Sequence, residues 1–256
     1  MSTLQFDLHT HTTFSDGYDW REMAEAAADL GLEGIGFTDH CPIVPDPFGR
    51  FDRYRFATTY RDRREVFLEE AEQLDIRVID AAEVNFDPEA NDDIAQFLDE
   101  AEFEYTIGSV HTTADTHVPA PDLSETTPRE IVDAYIDRQI ELIESELFDV
   151  LGHLDLPQRT TELRGVMTAA DYERIAAALS NSRTVPEINA GRLDRAMATV
   201  HPDPQHLNLF AEYDVSFVLG TDSHAPDQLR ARVELLDELV PSLPIDIEPL
   251  PPALTV

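Results

Sequence analysis

The sequence predicts an α/β protein in which seven short, mostly apolar parallel strands alternate with helices. Three observations carry this. β-rich runs recur along the chain, helical segments with their own start and stop signals follow nearly every one, and no repeat or low-complexity tract intervenes before a Pro-rich tail at Pro241. With 42% hydrophobic residues, 13 Phe, 7 Tyr and 1 Trp in 256 residues, there is enough apolar side chain for a sizeable core despite a net charge of −34. Residues 1–240 read as one domain and 241–256 as a tail. The pattern fits an open doubly wound sheet or a closed barrel, and does not choose between them.

The first strand is expected at Leu4 to Leu8, followed by a helix capped by Asp19, carrying Met23, Ala26, Ala27 and Leu30, and stopped by Gly31. A second strand, Gly34 to Phe37, leads into a loop with Pro42, Pro45 and Pro47. A charged helix at Tyr54 to Gln73 precedes a strand at Ile76 to Ala82, and a short helix at Asn91 to Ala101 precedes the strand Glu104 to Val110. Thr127-Pro128-Arg129-Glu130 joins a hydroxyl cap, a first-turn proline and a Glu at the third helical position, so a helix starts there and runs to about Glu146. Strand Phe148 to Leu151, a helix opened by Thr168 and Asp171, and strand Thr184 to Ile188 come next. Asp203-Pro204 opens a helix to about Tyr213; the last strand is Val215 to Leu219 and the last helix Pro226 to Leu239.

Composition excludes several classes. All 18 basic side chains are Arg, with no Lys, against 52 Asp and Glu. A strongly acidic, lysine-free surface suits molar salt, where charges are screened within roughly 3 Å, and points to a halophilic source. The same charge disfavours nucleic acid as a partner, since phosphate neutralisation needs basic residues. The longest apolar runs fall far short of the roughly 20 residues of a membrane span, and the first residues have neither a basic nor a long apolar stretch, so the expected location is cytoplasmic, with no membrane partner. Cys41 is the single cysteine; it reads as a small buried residue and agrees with a reducing compartment.

Six of the nine histidines fall at or just after predicted strand ends: His9, His11, His40, His111, His153 and His224. Random placement would put about one there, on the face that such folds use for chemistry. Asp16, Asp39, Glu83, Glu187 and Asp222 share those positions. Imidazole with carboxylate is a ligand set for Zn, Mn or Fe, and the lack of nearby cysteines argues against a structural zinc knot. His9 and His11 leave an extended strand on one face, so both rings can reach one ion, and Asp222 and His224 repeat the spacing. Glu83 can bridge two ions with its two oxygens. His117, His201 and His206 read as surface or loop residues. Asp39 reads as a partner of His40 or as a cap, Asp155 as a partner of His153, and Glu187, on one strand face with Asn189, as a polar core contact or a pocket wall. The Arg53 to Arg64 stretch reads as a lid or a helix surface.

Asp7-Leu8-His9-Thr10-His11 with Ser15-Asp16-Gly17, then Phe37-Thr38-Asp39-His40, resembles the opening of the PHP (polymerase and histidinol phosphatase) family. Ile107-Gly108-Ser109-Val110-His111, Leu151-Gly152-His153-Leu154-Asp155-Leu156, Pro186-Glu187-Ile188-Asn189 and Gly220-Thr221-Asp222-Ser223-His224 resemble its later motifs in order, so the likeness covers about residues 4–240. It implies a distorted seven-stranded (β/α)7 TIM-like barrel with two to three divalent ions at the C-terminal face of the strands. Carried over by position, it implies one metal on His9, His11, Glu83 and Asp222, a second on Glu83, His111 and His153, and a third on Asp16, His40 and His224. Within the family the chain is most similar to histidinol-phosphate phosphatases, through Thr38-Asp39-His40-Cys41-Pro42, Gly108-Ser109-Val110-His111 and Gly152-His153-Leu154-Asp155-Leu156.

The reaction so implied is phosphomonoester hydrolysis of a small-molecule phosphate, L-histidinol phosphate first. A hydroxide between the first two metals, held by Glu83, His111, His153, His9, His11 and Asp222, would be the nucleophile. Arg159 and Arg192, in loops beyond strand ends, are the candidates to hold the phosphoryl oxygens, surface ion pairing being the other reading of each. Glu187 and Asn189 would face the substrate's cationic amine and imidazole. The competing functions are a phosphoesterase acting on nucleotides and a metal-binding module without catalysis; metal-dependent turnover separates the last from both enzymes.

Overall fold

The computed structural model describes residues 4–43, 45, 48–49, 53–113, 116–195 and 198–255. Pro47 of the expected proline loop lies outside them. The elements, in order, are β1 (Phe6–Thr10), α1 (Trp20–Asp29), β2 (Gly34–Phe37), β3 (His40–Cys41), α2 (Phe56–Glu70), β4 (Arg77–Asn85), α3 (Asn91–Ala101), β5 (Tyr105–Ser109), β6 (Thr112–Thr113), β7 (Thr116–His117), α4 (Pro128–Glu144), β8 (Val150–Leu151), α5 (Ala169–Leu179), β9 (Val185–Asn189), α6 (Leu207–Ala211), β10 (Val218–Gly220) and α7 (Pro226–Leu239).

Helix boundaries follow local chemistry. The Asp19 carboxylate accepts from the Arg21 and Glu22 amides at the start of α1. In α4 Thr127 Oγ1 accepts from Glu130 N at 3.3 Å while the Glu130 carboxylate accepts from Thr127 N at 2.8 Å, the reciprocal pair that the sequence pattern promises.

The seven main strands pair in parallel in the order β1-β2-β4-β5-β8-β9-β10, and β3 pairs off the path with β4. The ends of that path meet: Thr10 bridges Ser223 in parallel, His11 N donates to Ser223 O at 2.9 Å and Asp222 N to His9 O at 2.7 Å. The sheet therefore closes into a barrel, which decides the question the alternating pattern left open. Leu8, Ile79, Ala81, Tyr105, Ile107, Val150, Val185 and Val218 fill its interior. A larger cluster, including Met23, Ile35, Ile136 and Phe210, joins the strands to the helices. Each fully buried Val, Leu, Ile, Phe or Met among them contributes roughly 1.5–3 kcal/mol. Gly36 leaves room inside: a Cβ there would sit 2.0 Å from the Tyr105 hydroxyl, which crosses the barrel to Leu8 O at 2.6 Å.

Several elements differ from expectation. The first strand starts later because its register is set by the pairing of Phe6 with Gly34, leaving Leu4 to pack in the outer cluster. The last strand is likewise displaced toward its C-terminal end, to Val218–Gly220. The helix expected from Asp203 to Tyr213 is a 3-10 turn, Pro204–His206, followed by the short α6. The β6–β7 hairpin rises from the rim without a counterpart in the sequence pattern. The tail is not detached: Phe217 bridges Ile247, and Leu250 and Leu254 pack against the barrel's inner cluster. Among the described residues no helix is long and apolar enough to cross a membrane.

Candidate metal centre

Strand ends deliver the donors. His9 lies one residue before the end of β1 at Thr10, with His11 just beyond the strand, His40 lies in β3 and Glu83 in β4, His111 and His153 follow β5 and β8, and Asp222 and His224 follow β10. Asp16 comes from the loop after β1. Asp222 adopts left-handed backbone, φ 52°, which costs an L-residue about 1 kcal/mol. Arg232 of α7 holds it there, donating from Nη1 to the carbonyls of Asp222 at 2.7 Å and Thr221 at 3.2 Å.

All nine donors converge on one rim. Glu83 is central: Oε1 lies 3.8 Å from His9 Nε2, 3.6 Å from His111 Nε2 and 3.0 Å from His153 Nε2, and Oε2 lies 3.8 Å from His11 Nε2 and 2.5 Å from His40 Nδ1. Asp222 Oδ1 is 3.5 Å from His11 Nε2 and 3.8 Å from His224 Nδ1; Asp16 Oδ1 is 3.3 Å from His224 Nε2 and 3.7 Å from His40 Nε2. Three groups have donor atoms within 4.8 Å of one another: His11, Asp16, His40 and His224; His9, His11 and Glu83; His40, Glu83 and His111. The groups overlap, with His40 beside Glu83 as well as Asp16, where the family resemblance implies separate sets.

The chemistry of these atoms fits cations. His9 Nε2 and His11 Nε2 are buried and have no hydrogen-bond partner among the described residues. Separations of 3.5–3.8 Å are too long for hydrogen bonds and match two donors each about 2.0–2.2 Å from a shared ion. Burial, reinforced by His224 and His40, pushes His11 down to about 4, leaving its imidazole neutral with a lone pair to offer. Burial drives His111 in the same direction. Burial alone would raise Glu83, but His40, His111 and His9 outweigh it and hold the carboxylate well below its usual range.

Surrounding groups fix the rings. Glu187 accepts from His9 Nδ1 at 2.9 Å, turning Nε2 toward Glu83, and Ser109 Oγ donates to Glu83 Oε1 at 2.6 Å. His224 Nδ1 lies 3.0 Å from the Asp222 carbonyl, which turns Nε2 toward Asp16 Oδ1 at 3.3 Å. Asp39 partners no imidazole here: it accepts from Thr12 N, Thr12 Oγ1, Ser15 Oγ and Arg63 Nη1, each at 2.7 Å.

Four expectations need correction. Glu187 and Asn189 do not line the cavity; they face the barrel interior one layer below the rim, where burial demands polar partners. Glu187 is spent on His9, and Asn189 donates to Glu187 at 2.8 Å while its Oδ1 accepts from Arg159. Asp155 does not orient His153, because its carboxylate is taken by His201 Nδ1 at 2.6 Å and by the Tyr172 hydroxyl at 2.9 Å. His201 is accordingly buried rather than on the surface. His117 is buried too, in β7, and lines the cavity. His206 stacks on Tyr172 at 4.1 Å, half-buried.

A cavity of about 380 Å³ is lined by His40, Glu83, His111, His153, Asp222 and His224 together with Arg159, Arg192, Arg195 and Arg232. Arg159 Nη1 donates to Asp222 Oδ2 at 3.1 Å. Arg192 is half-buried with no acidic partner among the described residues; burial, then repulsion by Arg159, lowers its pKa. Sequence reasoning missed Tyr54, whose hydroxyl donates to Asp16 Oδ2 at 3.0 Å, together with the roles of Arg63, His117 and Arg232. Their only sequence signal was residue type, since packing from distant segments places them.

The PHP domain model matches residues 7–190. The chain belongs to the PHP domain family. Among PHP-related proteins, it is 30% identical over 235 residues to a probable histidinol-phosphatase of Deinococcus radiodurans, covering 88% of each chain. It is 26% identical over 255 residues to the histidinol-phosphatase of Lactococcus lactis, covering 88% of this chain and 85% of that one. The crystal structure of the Lactococcus lactis histidinol phosphate phosphatase, complexed with zinc, L-histidinol and phosphate, superposes with a TM-score of 0.79 at 23% identity over 95% of both chains. That likeness establishes the PHP barrel for this chain.

Proposed function

We propose that this protein is a metal-dependent phosphomonoesterase that hydrolyses L-histidinol phosphate to L-histidinol and phosphate. The observation that carries the reading is the convergence of nine imidazole and carboxylate donors on Glu83 and its neighbours, facing an arginine-lined cavity. Two to three divalent ions, Zn, Mn or Fe, would be held by His9, His11, Glu83 and Asp222, by Glu83, His111 and His153, and by Asp16, His40 and His224. Bound ions of this kind supply Lewis-acid charge and an activated water at neutral pH.

The chain's own residues do the rest. Arg159 is pre-aimed by Asp222 and Asn189, and Arg192 offers a guanidinium whose burial an anionic substrate compensates. Both hold phosphoryl oxygens, and Glu187 and Ser109 keep His9 and Glu83 in register so that this binding costs no rearrangement. The substrate's organic end would rest against Pro119, Leu156 and His117. The relatives named histidinol-phosphatase support the choice of substrate.

Phosphate release in high salt with added Mn, comparing L-histidinol phosphate with nucleotide and sugar phosphates, tests the reading. A large kcat/KM preference for L-histidinol phosphate is expected. Preference for a nucleotide would replace the substrate, and absence of turnover on any phosphate ester would leave a metal-binding module.

A further inference from the structure

Asp16, His40 and His224 sit at the outer edge of the donor rim, and two side chains from the segment around α2 reach in to hold them. The Asp16 carboxylate is divided between two tasks. Its Oδ1 faces His224 Nε2 at 3.3 Å and His40 Nε2 at 3.7 Å, while Oδ2 accepts from the Tyr54 hydroxyl at 3.0 Å. Tyr54 also stacks on the His40 ring, centroids 5.4 Å apart and planes 20° from parallel. One buried phenol thus fixes the rotamer of a carboxylate donor and the plane of an imidazole donor.

Arg63 acts one layer deeper. It is fully buried, with its guanidinium 4.1 Å over the Phe56 ring, and its fork spans two strands. Nη1 donates to Asp39 Oδ2 at 2.7 Å and to Phe37 O at 3.1 Å; Nη2 donates to Asp80 Oδ1 at 2.5 Å and to Ala81 O at 2.6 Å. Asp39 in turn gathers Thr12 and Ser15, and so sets the loop that carries Asp16, besides adjoining His40. A single planar fork therefore ties the end of β2, the middle of β4 and the Asp16 loop into one unit. Lysine, a point donor, cannot span Asp39 and Asp80 in that way.

We propose that Tyr54 and Arg63 are positioning residues for the Asp16–His40–His224 donor group, Tyr54 through Asp16 and Arg63 through Asp39, and that they set how tightly this group binds a divalent cation. The inference rests on the metal reading above. It gives the α2 segment a role in cation affinity, in place of the lid or bare helix surface that its sequence suggests.

Removing a partner that orients a metal ligand typically costs 10–100-fold in metal affinity. Tyr54→Phe keeps the ring on His40 and deletes only the hydroxyl. It is expected to weaken the last-filled Mn or Zn ion by about 10-fold or more, with the other ions unchanged. Metal content by mass spectrometry after dialysis, and calorimetric titration of the chelator-treated protein, read this independently of turnover. Arg63→Lys is expected to weaken the same ion, and Ser15→Ala, which deletes one Asp39 hydrogen bond, serves if Arg63→Lys does not fold. Raised Mn should restore kcat in Tyr54→Phe to the parent value. If Tyr54→Phe and Ser15→Ala both bind every ion as the parent does, the proposal is overturned. If the parent protein itself binds no ion, it is the metal reading that fails.

Discussion

Glu83 is the residue on which the site turns, since its two oxygens face five imidazoles. Replacing a mere outer partner costs 10–100-fold in affinity or activity, so Glu83→Ala should exceed that, lowering kcat/KM by about 1,000-fold and reducing the ions bound per chain. Retention of a normal rate would remove Glu83 from the centre. Arg192→Ala should act differently. In the proposed role it would delete a charge-assisted contact worth about 1.5–3 kcal/mol, so KM should rise by about 10–100-fold with metal content unchanged. An unaltered KM would show that Arg192 does not touch substrate. The convergence of the candidate donors was legible in the sequence because ligand chemistry restricts residue type and strand ends restrict position. Depth was not legible: the period of two puts Glu187 and Asn189 inward, but only closure of the barrel places them below the rim rather than on it. Tyr54 and Arg63 were illegible for a different reason, being placed by helix packing across the sheet.

Among elements, α4 and α5 show how one carboxylate serves twice. Asp171 accepts from Thr168 N at the start of α5, and takes Arg129 of α4 in a two-pronged ion pair at 2.7 and 2.8 Å. Arg129 holds its pKa down at about 2, from an ordinary value of 3.8. Because the folded-state value is the lower one, the stabilisation is present above about pH 4 and is lost as pH falls through about 2. Arg129 is part-exposed, so Asp171→Asn should cost about 1–2 kcal/mol near neutral pH and little near pH 2. Denaturant unfolding at both pH values checks this; an equal loss at both would put the contribution in packing instead. Helices were readable in the sequence where such caps are local. The seven main strands were readable in number and in their sequence along the chain, but β3, the β6–β7 pair and the register were not, since the strand starts at Phe6 and Val218 are set by pairing with Gly34 and Glu187.

At the scale of the molecule, a charge of −34 acts against compactness wherever it is unscreened. Raising salt from about 0.1 to 1 M shortens the screening length from about 10 to 3 Å, so the thermal midpoint should rise over that range. A midpoint insensitive to salt would show that repulsion among the acidic side chains does not limit stability. The cluster of candidate donors would turn that same acidity to use, since cations held at the rim would give the proposed anionic ester a positive target. Barrel closure between β1 and β10 brings His9 and His11 to Asp222, and His11 to His224, across more than two hundred residues. The most direct measurement is phosphate release from L-histidinol phosphate by the chelator-treated protein as Mn or Zn is returned and bound metal is counted. Turnover should vanish on metal removal and return only as more than one ion binds per chain. Full turnover without bound metal would contradict the assignment.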